Sequence, residues 1–309
     1  MIAGVFSLST GGRSDVGFAD LLHPNDIART VIRDIRAPRA AIAALLGINL
    51  GLAGLALQAV TRNDLASPSI LGINQGAALG LCLTLVWPHV FGVSPDIMAM
   101  VGGVTAGALT LTIAGALQGN VDPMRLILGG VAVAAFSFAM VRFTYTLDDD
   151  LTRAVIRWTV GDISGMRWPD VQRMTIFTLP GIIIALLLAQ QFNLMALGQA
   201  AAQGVGVDPR ITLLSGTVLA AGLAGVAVSV AGPIAFAGLV VPHLARMVAG
   251  TDYRALVPVT VLLGAGLMLV TDGLSKWLIA PSEAPIGVIA ALFGAPWFLW
   301  HTLKSKALG

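Results

Sequence analysis

The chain has 309 residues, of which 56% are hydrophobic and 11% are charged, and its formal net charge is only +2. A mean hydropathy of +0.86 excludes a soluble globular protein, because too few polar groups remain to cover a water-facing surface. The small net charge gives no sign of a nucleic-acid-binding surface, and the single cysteine, Cys82, excludes a disulfide framework.

Apolar stretches long enough to cross a bilayer recur along most of the chain. A spanning helix needs roughly 20 apolar residues, and unbroken runs of that kind favour helices over the strands of a barrel. The predicted spans are 40–60, 70–91, 97–118, 126–147, 171–191, 212–231, a shorter 234–249, 256–279 and 286–303. The sequence therefore predicts a single all-α domain over residues 1–309, a polytopic membrane bundle.

Four segments lie outside these spans. Residues 2–10 are apolar but too short to span, and they lack the basic start and cleavage motif of a signal peptide. Residues 11–39 are predicted to be a polar extramembrane segment, and residues 148–170, which are polar and aromatic, an interfacial helix and loop. Residues 195–210 are rich in Ala and Gly and form either a short helix on the membrane face or an ordinary loop.

Polar residues interrupt the chain between the first two spans. Asn63 and Pro68 end one helix, and polar Asn74 and Gln75 then enter the next. Irregular polar backbone at membrane depth is tolerated only against protein or a water-filled cavity. The segment is either a polar hairpin at the interface or the wall of a pathway that includes Gln58, Asn74 and Gln75.

Small residues repeat at one-turn spacing in several spans. Such GxxxG patterns let helix backbones approach closely, so we expect them to mark helix packing. They involve Gly47 and Gly51, then Gly72, Gly76 and Gly80, and finally Gly103 and Gly107.

Few ionisable residues lie at or within the spans. Arg36 and Arg39 open the first span and are either snorkelling anchors or docking cations for an acidic partner. Asp272 and Lys276 are four residues apart in one span and can pair. Arg142 lies near the end of its span and faces the bundle or the interface.

The short span at 234–249 is entered by Gly232-Pro233 and is predicted to break at Pro242, as in helices that form gates. His243 has no catalytic partner at a suitable spacing, and the four histidines are too scattered for a metal site. The chain has no Walker motif for nucleotide hydrolysis. We therefore expect no catalytic residue, no metal site and no cofactor in this chain.

Several motifs resemble the iron-chelate ABC importer permeases, the FecCD-type family that includes the vitamin B12 permease. The resemblance covers about residues 5–303, and the sequence of 66–74 looks closest to a ferric-citrate permease subunit. The matching motifs are Arg36-Ala-Pro-Arg39, Arg62-Asn63, Leu65-Ala66-Ser67-Pro68, Leu71-Gly72-Ile73-Asn74, residues 232–246 and Pro285-Ile286-Gly287-Val288.

The resemblance implies a multi-pass inner-membrane subunit of the vitamin B12 permease type. It implies two permease copies, identical or different, with an ABC ATPase dimer that holds ATP-Mg and a periplasmic substrate-binding protein. The family has ten helices, but the first is largely missing here, so nine or ten are expected. A weak internal echo, at 52–56 and 223–227, fits the inverted halves of such transporters.

The family also suggests roles for individual residues. Arg36, Arg39 and Lys276 would face the periplasm and dock the binding protein. Arg142 and Pro242 would join the translocation pathway. The cytoplasmic gate would be Asp122, Pro123 and Met124. The ATPase coupling helices would fall at 195–210, with Leu197, Gly198, Gln199, Ala202, Gly206 and Asp208.

Other functions remain open from the residues alone. The cargo of such an importer could be another chelate, such as haem or cobalamin. An ion-coupled secondary transporter would need carboxylates deep in the spans, where only Asp272 qualifies. An intramembrane enzyme would need a Ser/His or Asp/Asp constellation, and none is visible in the sequence.

Overall fold

The computed structural model describes residues 2–9, 26–87, 92–116, 123–143, 160–279 and 282–306. Within these ranges the chain is helical and contains no strand. The helices are α1 (Ile2–Ser9), α2 (Asp26–Val31), α3 (Ala37–Thr61), α4 (Ile73–Val86), α5 (Pro95–Ile113), α6 (Pro123–Phe143), α7 (Trp168–Ala196), α8 (Gln199–Gly204), α9 (Pro209–Ala231), α10 (Ala237–Ala249), α11 (Tyr253–Trp277) and α12 (Ile286–Lys306).

Each predicted span overlaps one of these helices, which confirms the all-α membrane bundle. Among the described residues, six helical segments are long and apolar enough to cross a membrane, and three shorter apolar helices accompany them. Two of the short ones, α4 and α10, have 14 and 13 residues. At 1.5 Å per residue they extend about 20 Å, less than a bilayer core of about 30 Å. Their first residues, Ile73 and Ala237, are buried within the bundle.

The helix that holds the first predicted span extends well before residue 40. Helix α2 begins at Asp26 and continues through a π-helical turn, Ile32–Arg36, directly into α3. Pro38 follows the π-helical turn inside this continuous helix, where its missing amide hydrogen removes one helical bond. The Arg-Ala-Pro-Arg motif is thus helical, although it contains the residue that most often ends a helix.

Helix α3 is the centre of the bundle and packs against α7, α9, α10 and α11. A Cβ atom at Gly47 would overlap the carbonyl group of Gly264, and one at Gly54 would overlap that of Gly238. Gly76 of α4 meets α5 in the same way. The GxxxG glycines therefore mark close helix packing, as predicted. The other members, Gly51, Gly72, Gly80, Gly103 and Gly107, also face neighbouring helices.

Caps explain several helix ends. The Asp208 side chain accepts a hydrogen bond from the Arg210 amide at the start of α9, and Asp252 accepts one from the Arg254 amide at the start of α11. An aspartate here satisfies an otherwise unpaired backbone donor. Helix α7 begins at Trp168 with a bond from the Arg167 amide to Asp170. Residues 144–159, which include most of the predicted 148–170 loop, lie outside the described residues.

Candidate transport site

Two non-helical segments interrupt the helices of the bundle, one directly before α4 and one directly before α10. We call residues 62–72 the first break and residues 232–236 the second break. Each contains a non-glycine residue in the left-handed region, Arg62 with φ of 50° and Phe236 with φ of 66°, and no other non-glycine residue in the described chain has a positive φ. Such conformations cost about 1–3 kcal/mol each and concentrate at functional sites.

The two breaks contact each other. Asn74, just after the first break, donates from Nδ2 to Ser69 Oγ at 2.9 Å and to the carbonyl of Ile234 in the second break at 3.4 Å. A Cβ atom at Gly238 would lie 3.1 Å from Pro68 Cδ. Asn74 is therefore a buried tie between the two breaks, and it does not line the groove described next.

A groove of about 640 Å³ opens between the first break and α6. Helix α6 supplies an apolar wall, and the polar groups come from Asn63, Ser69 and Gln75. Gln75 Oε1 is buried and accepts no hydrogen bond from the described residues. The volume lies in the range of small-molecule sites, and the neutral polar groups can bind a guest without fixing a charge in the membrane.

Of the predicted pathway residues, Gln75 lines this groove and Gln58, Arg142 and Pro242 do not. Arg142 lies one turn beyond it, with its guanidinium carbon 5.3 Å from the ring centre of Phe138, a groove residue. Asp148, Asp149 and Asp150, the carboxylates that follow Arg142 in the sequence, lie outside the described residues.

The sequence predicted a break at Pro242, but the helix is continuous there. Helix α10 runs through it from Ala237 to Ala249, and the interruption lies in the second break. A proline removes the hydrogen bond to the carbonyl four residues earlier, here that of Gly238. That carbonyl faces Gly54 of α3, where the absence of a side chain admits it.

A buried ion-pair cluster joins α1, α3 and α11 at the opposite end of α3. Arg39 Nε lies 2.7 Å from Asp272 Oδ1, and Lys276 Nζ lies 2.6 Å from Asp272 Oδ2. Arg39 also pairs with Glu283, and Ser7 Oγ donates to Asp272 at 2.6 Å. The pairing of Asp272 with Lys276 is thus confirmed. Two cations and two anions balance, as a buried cluster requires.

Arg36, Arg39 and Lys276, the predicted docking residues, are buried in this structure. They are only 4%, 4% and 2% exposed. The Arg36 side chain donates to the carbonyl of Leu8 in α1 at 2.8 Å, and the other two pair with Asp272. Paired cations hold helices together, so their role in docking stays a prediction.

A second polar cluster lies at the end of α3 nearest the groove, and sequence reasoning missed it. Arg246 of α10 donates from Nη1 to Gln58 Oε1 at 2.6 Å, and its Nη2 lies 3.4 Å from Asp64 Oδ1. Gln58 is thus buried against α10. In the sequence, Arg246 is visible only as the last residue of the 232–246 motif. The periodicity of apolar residues in one helix cannot show that its side chain reaches Gln58 of α3.

The predicted coupling segment, 195–210, forms a compact corner. Gly198, with φ of 108°, precedes the short helix α8, and Gly206, with φ of 84°, follows it. Asp208 then caps α9. The segment therefore contains a short helix, and the two glycines supply conformations that other residues rarely adopt.

The side chains of this corner point in two directions. Ala202 is fully buried, whereas Leu197 and Val205 are 72% and 63% exposed. Gln199 lies half-buried at the start of α8. Exposed apolar side chains beside a buried anchor offer a contact surface to another protein.

The predicted gate is described only in part. Asp122 lies outside the described residues, Pro123 begins α6, and Met124 in the same turn is exposed. Leu126 and Ile127, in the following residues, line the groove. The gate segment therefore adjoins the groove at the first turn of α6.

Comparison with known proteins identifies this fold. Residues 1–304 match the FecCD transport family. The Fe(3+) dicitrate transport system permease FecC of Escherichia coli is 40% identical over 90% of this chain and 84% of its own length. The hemin transport system permease HmuU of Yersinia pestis is 38% identical over 91% of this chain and 86% of its own.

Solved structures agree. A metal-chelate type ABC transporter in an inward-facing conformation superposes with a TM-score of 0.82 at 28% identity, covering 98% of this chain and 96% of that one. PsaBC of Streptococcus pneumoniae, with a TM-score of 0.59 at 14% identity, shares the fold alone. This chain is a multi-pass membrane permease that belongs to the FecCD transport family.

Proposed function

We propose that this chain is the membrane subunit of an ABC importer that moves an iron(III) chelate across the bacterial inner membrane. The observation that carries the proposal is the groove between the first break and α6, in a fold shared with a metal-chelate transporter. Relatives named for ferric dicitrate and hemin transport support iron chelates as the cargo class.

The partners follow from this role. A second permease copy covers the exposed apolar face of α6 and closes the groove on its open side. A periplasmic binding protein delivers the chelate, and two ATPase subunits bind ATP-Mg and contact the 195–210 segment through Leu197 and Val205. This chain itself forms and breaks no covalent bond and binds no cofactor.

Transport proceeds by alternating access. The chelate contacts Asn63, Ser69 and Gln75, whose neutral groups bind it without trapping it. ATP binding to the ATPases favours one arrangement of the groove over the other, because a ligand shifts an equilibrium only by its differential affinity for the two states. Arg142, beyond the groove, attracts an anionic chelate such as ferric citrate.

Ion-coupled transport is the weaker alternative. Asp272 is fully buried in α11, and Arg39, Lys276 and Ser7 already occupy its oxygen atoms. A carboxylate held by two cations has no free oxygen with which to bind and release a coupling ion.

The test is uptake into proteoliposomes that contain the permease with its ATPase subunits. We expect radioactive iron from ferric citrate to enter only when the binding protein is outside and ATP reaches the ATPase. Uptake driven by a proton or sodium gradient without ATP would contradict the proposal. Uptake of hemin in preference to ferric citrate would support an ATP-driven importer and show that its cargo is a different iron chelate.

A further inference from the structure

The first residue of the first break, Arg62, adopts a conformation that glycine or asparagine usually supplies. It follows the last turn of α3 with φ of 50°, and its amide donates to the carbonyl of Gln58. A glycine would form this cap without strain. An arginine at this position therefore costs backbone strain that a glycine would avoid, and its long side chain is the feature that a glycine would lack.

The Arg62 side chain extends toward the coupling segment. Its Nη1 lies 4.0 Å from the position that a Cβ atom would take at Gly198, the residue that precedes α8. Gly198 has φ of 108°, which fixes the direction in which the corner leaves α7. The guanidinium of Arg62 thus lies against the base of the corner that carries Leu197 and Val205.

The other side of the same turn forms the groove. Asn63 and Leu65 line it, and Asn63 Oδ1 accepts a hydrogen bond from the Leu65 amide at 2.9 Å. The Ala66 amide donates to the carbonyl of Asn63 at 3.0 Å. Together with the bonds from the Arg62 and Asn63 amides to the carbonyl of Gln58, they make residues 62–66 a compact unit.

A restraint on this unit comes from the other half of the chain. Arg246 holds Asp64 in the turn and Gln58 in the last turn of α3. The turn is therefore bound to α10 through Asp64, its Arg62 guanidinium lies near Gly198 of the coupling segment, and Asn63 and Leu65 face the groove.

We propose that Arg62 is a positioning residue that transmits movement of the 195–210 segment to the groove wall at Asn63 and Leu65. The inference rests on the proposed function, since it assumes that ATPases move this segment. Arg62 does not contact the chelate; it acts through the two residues that follow it.

The experiment compares two substitutions of Arg62. Arg62→Gly keeps the left-handed cap and removes the guanidinium, whereas Arg62→Lys keeps a long cation. We expect iron uptake per ATP hydrolysed to fall about tenfold in Arg62→Gly and to recover largely in Arg62→Lys. Arg254→Ala is the matched control, an arginine at the same end of the bundle that bonds Gln190 and does not touch Gly198; it should keep the wild-type ratio.

A second readout needs no substrate. In a Cys82→Ala background, a fluorescent label at Leu65→Cys reports on the groove wall, and ATP added to the assembled complex should change its emission. We expect this change with Arg62 present and its loss in Arg62→Gly. If wild type shows the change but imports no iron chelate, the cargo proposal fails and the role of Arg62 stands.

Three results would overturn the inference. The label could respond to ATP equally in Arg62→Gly. The uptake per ATP could stay at the wild-type value in Arg62→Gly. Finally, Arg62→Lys could be as impaired as Arg62→Gly while both melt at the wild-type temperature, in which case reach and charge at this position do not matter.

Discussion

Arg39 Nε lies 2.7 Å from Asp272 Oδ1, although the two residues are 233 positions apart in the sequence. The bond joins the first turn of α3 to the last part of α11, and Ser7 of α1 shares the same carboxylate. Asp272 is fully buried. Its carboxylate therefore links α1, α3 and α11 at this end of the bundle.

Replacing Asp272 should destabilise the protein strongly. Asp272→Asn keeps the size of the side chain but leaves Lys276 without its counter-ion and Arg39 with Glu283 alone. Breaking a buried pair in this way costs about 3–5 kcal/mol. Thermal unfolding in detergent measures it, and Glu283→Gln, at a side chain 35% exposed, is the control with the smaller expected loss. Equal effects of the two substitutions would contradict the central position of Asp272.

The same cluster changes how docking can be tested. Charge reversal at Arg39 would place a new carboxylate beside those of Asp272 and Glu283. The substitution would therefore destabilise the fold, and a loss of binding-protein affinity could not be assigned to docking.

Close packing of α3 gives a second prediction. Gly54→Ala places a methyl group into the carbonyl of Gly238, and overpacking of this kind costs about 1–3 kcal/mol. Gly266→Ala is the control, since a Cβ atom there meets nothing within 4 Å in the interior of α11. It should be neutral or stabilising by about 0.5–1 kcal/mol. A melting temperature of Gly54→Ala at or above that of Gly266→Ala would show that the two helices separate easily.

Arg142 is expected to select anionic cargo. Arg142→Gln should lower uptake of an anionic iron chelate about tenfold, equivalent to about 1.4 kcal/mol, and spare a neutral chelate in the same vesicles. Arg142→Lys retains the charge and should retain most of the uptake. An equal loss for both chelates would indicate that Arg142 stabilises its surroundings and does not select the cargo.

The coupling corner should bind the ATPase through its exposed apolar side chains. Leu197→Ser combined with Val205→Ser should weaken association of the purified permease with the ATPase about tenfold or more, because apolar anchors dominate such interfaces. Both positions have ordinary backbone conformations, whereas a bulky residue at Gly206, with φ of 84°, would strain the turn. Val93→Ser, an exposed position before α5, is the control. Unchanged association would place the ATPase contact elsewhere.

The sequence predicts local features well because they depend on neighbouring residues. The apolar spans became helices, and the four-residue spacing of Asp272 and Lys276 became an ion pair. The glycine repeats marked helix contacts. Each of these follows from periodicity within one helix.

Other features depend on distant parts of the chain and could not be predicted. Nothing near Arg39 indicates that it would be buried against Asp272, so it was expected at the surface. The helix continues through Pro38 because a π-helical turn precedes it, and α10 continues through Pro242 because Gly54 makes room for the freed carbonyl. The groove arises from the first break meeting α6, a contact that no local pattern specifies.

If cargo passes through the groove beside α6, the accessibility of the groove must change during transport. In a Cys82→Ala background, Val131→Cys introduces a thiol into the groove, and Leu187→Cys places one on the exposed face of α7, away from the groove. We expect a charged thiol reagent at Val131→Cys to block ATP-driven iron uptake, bound chelate to slow the reaction, and labelling at Leu187→Cys to leave uptake intact. Full uptake by the transporter labelled at Val131→Cys, with a labelling rate that chelate and ATP do not change, would contradict a transport pathway through this groove.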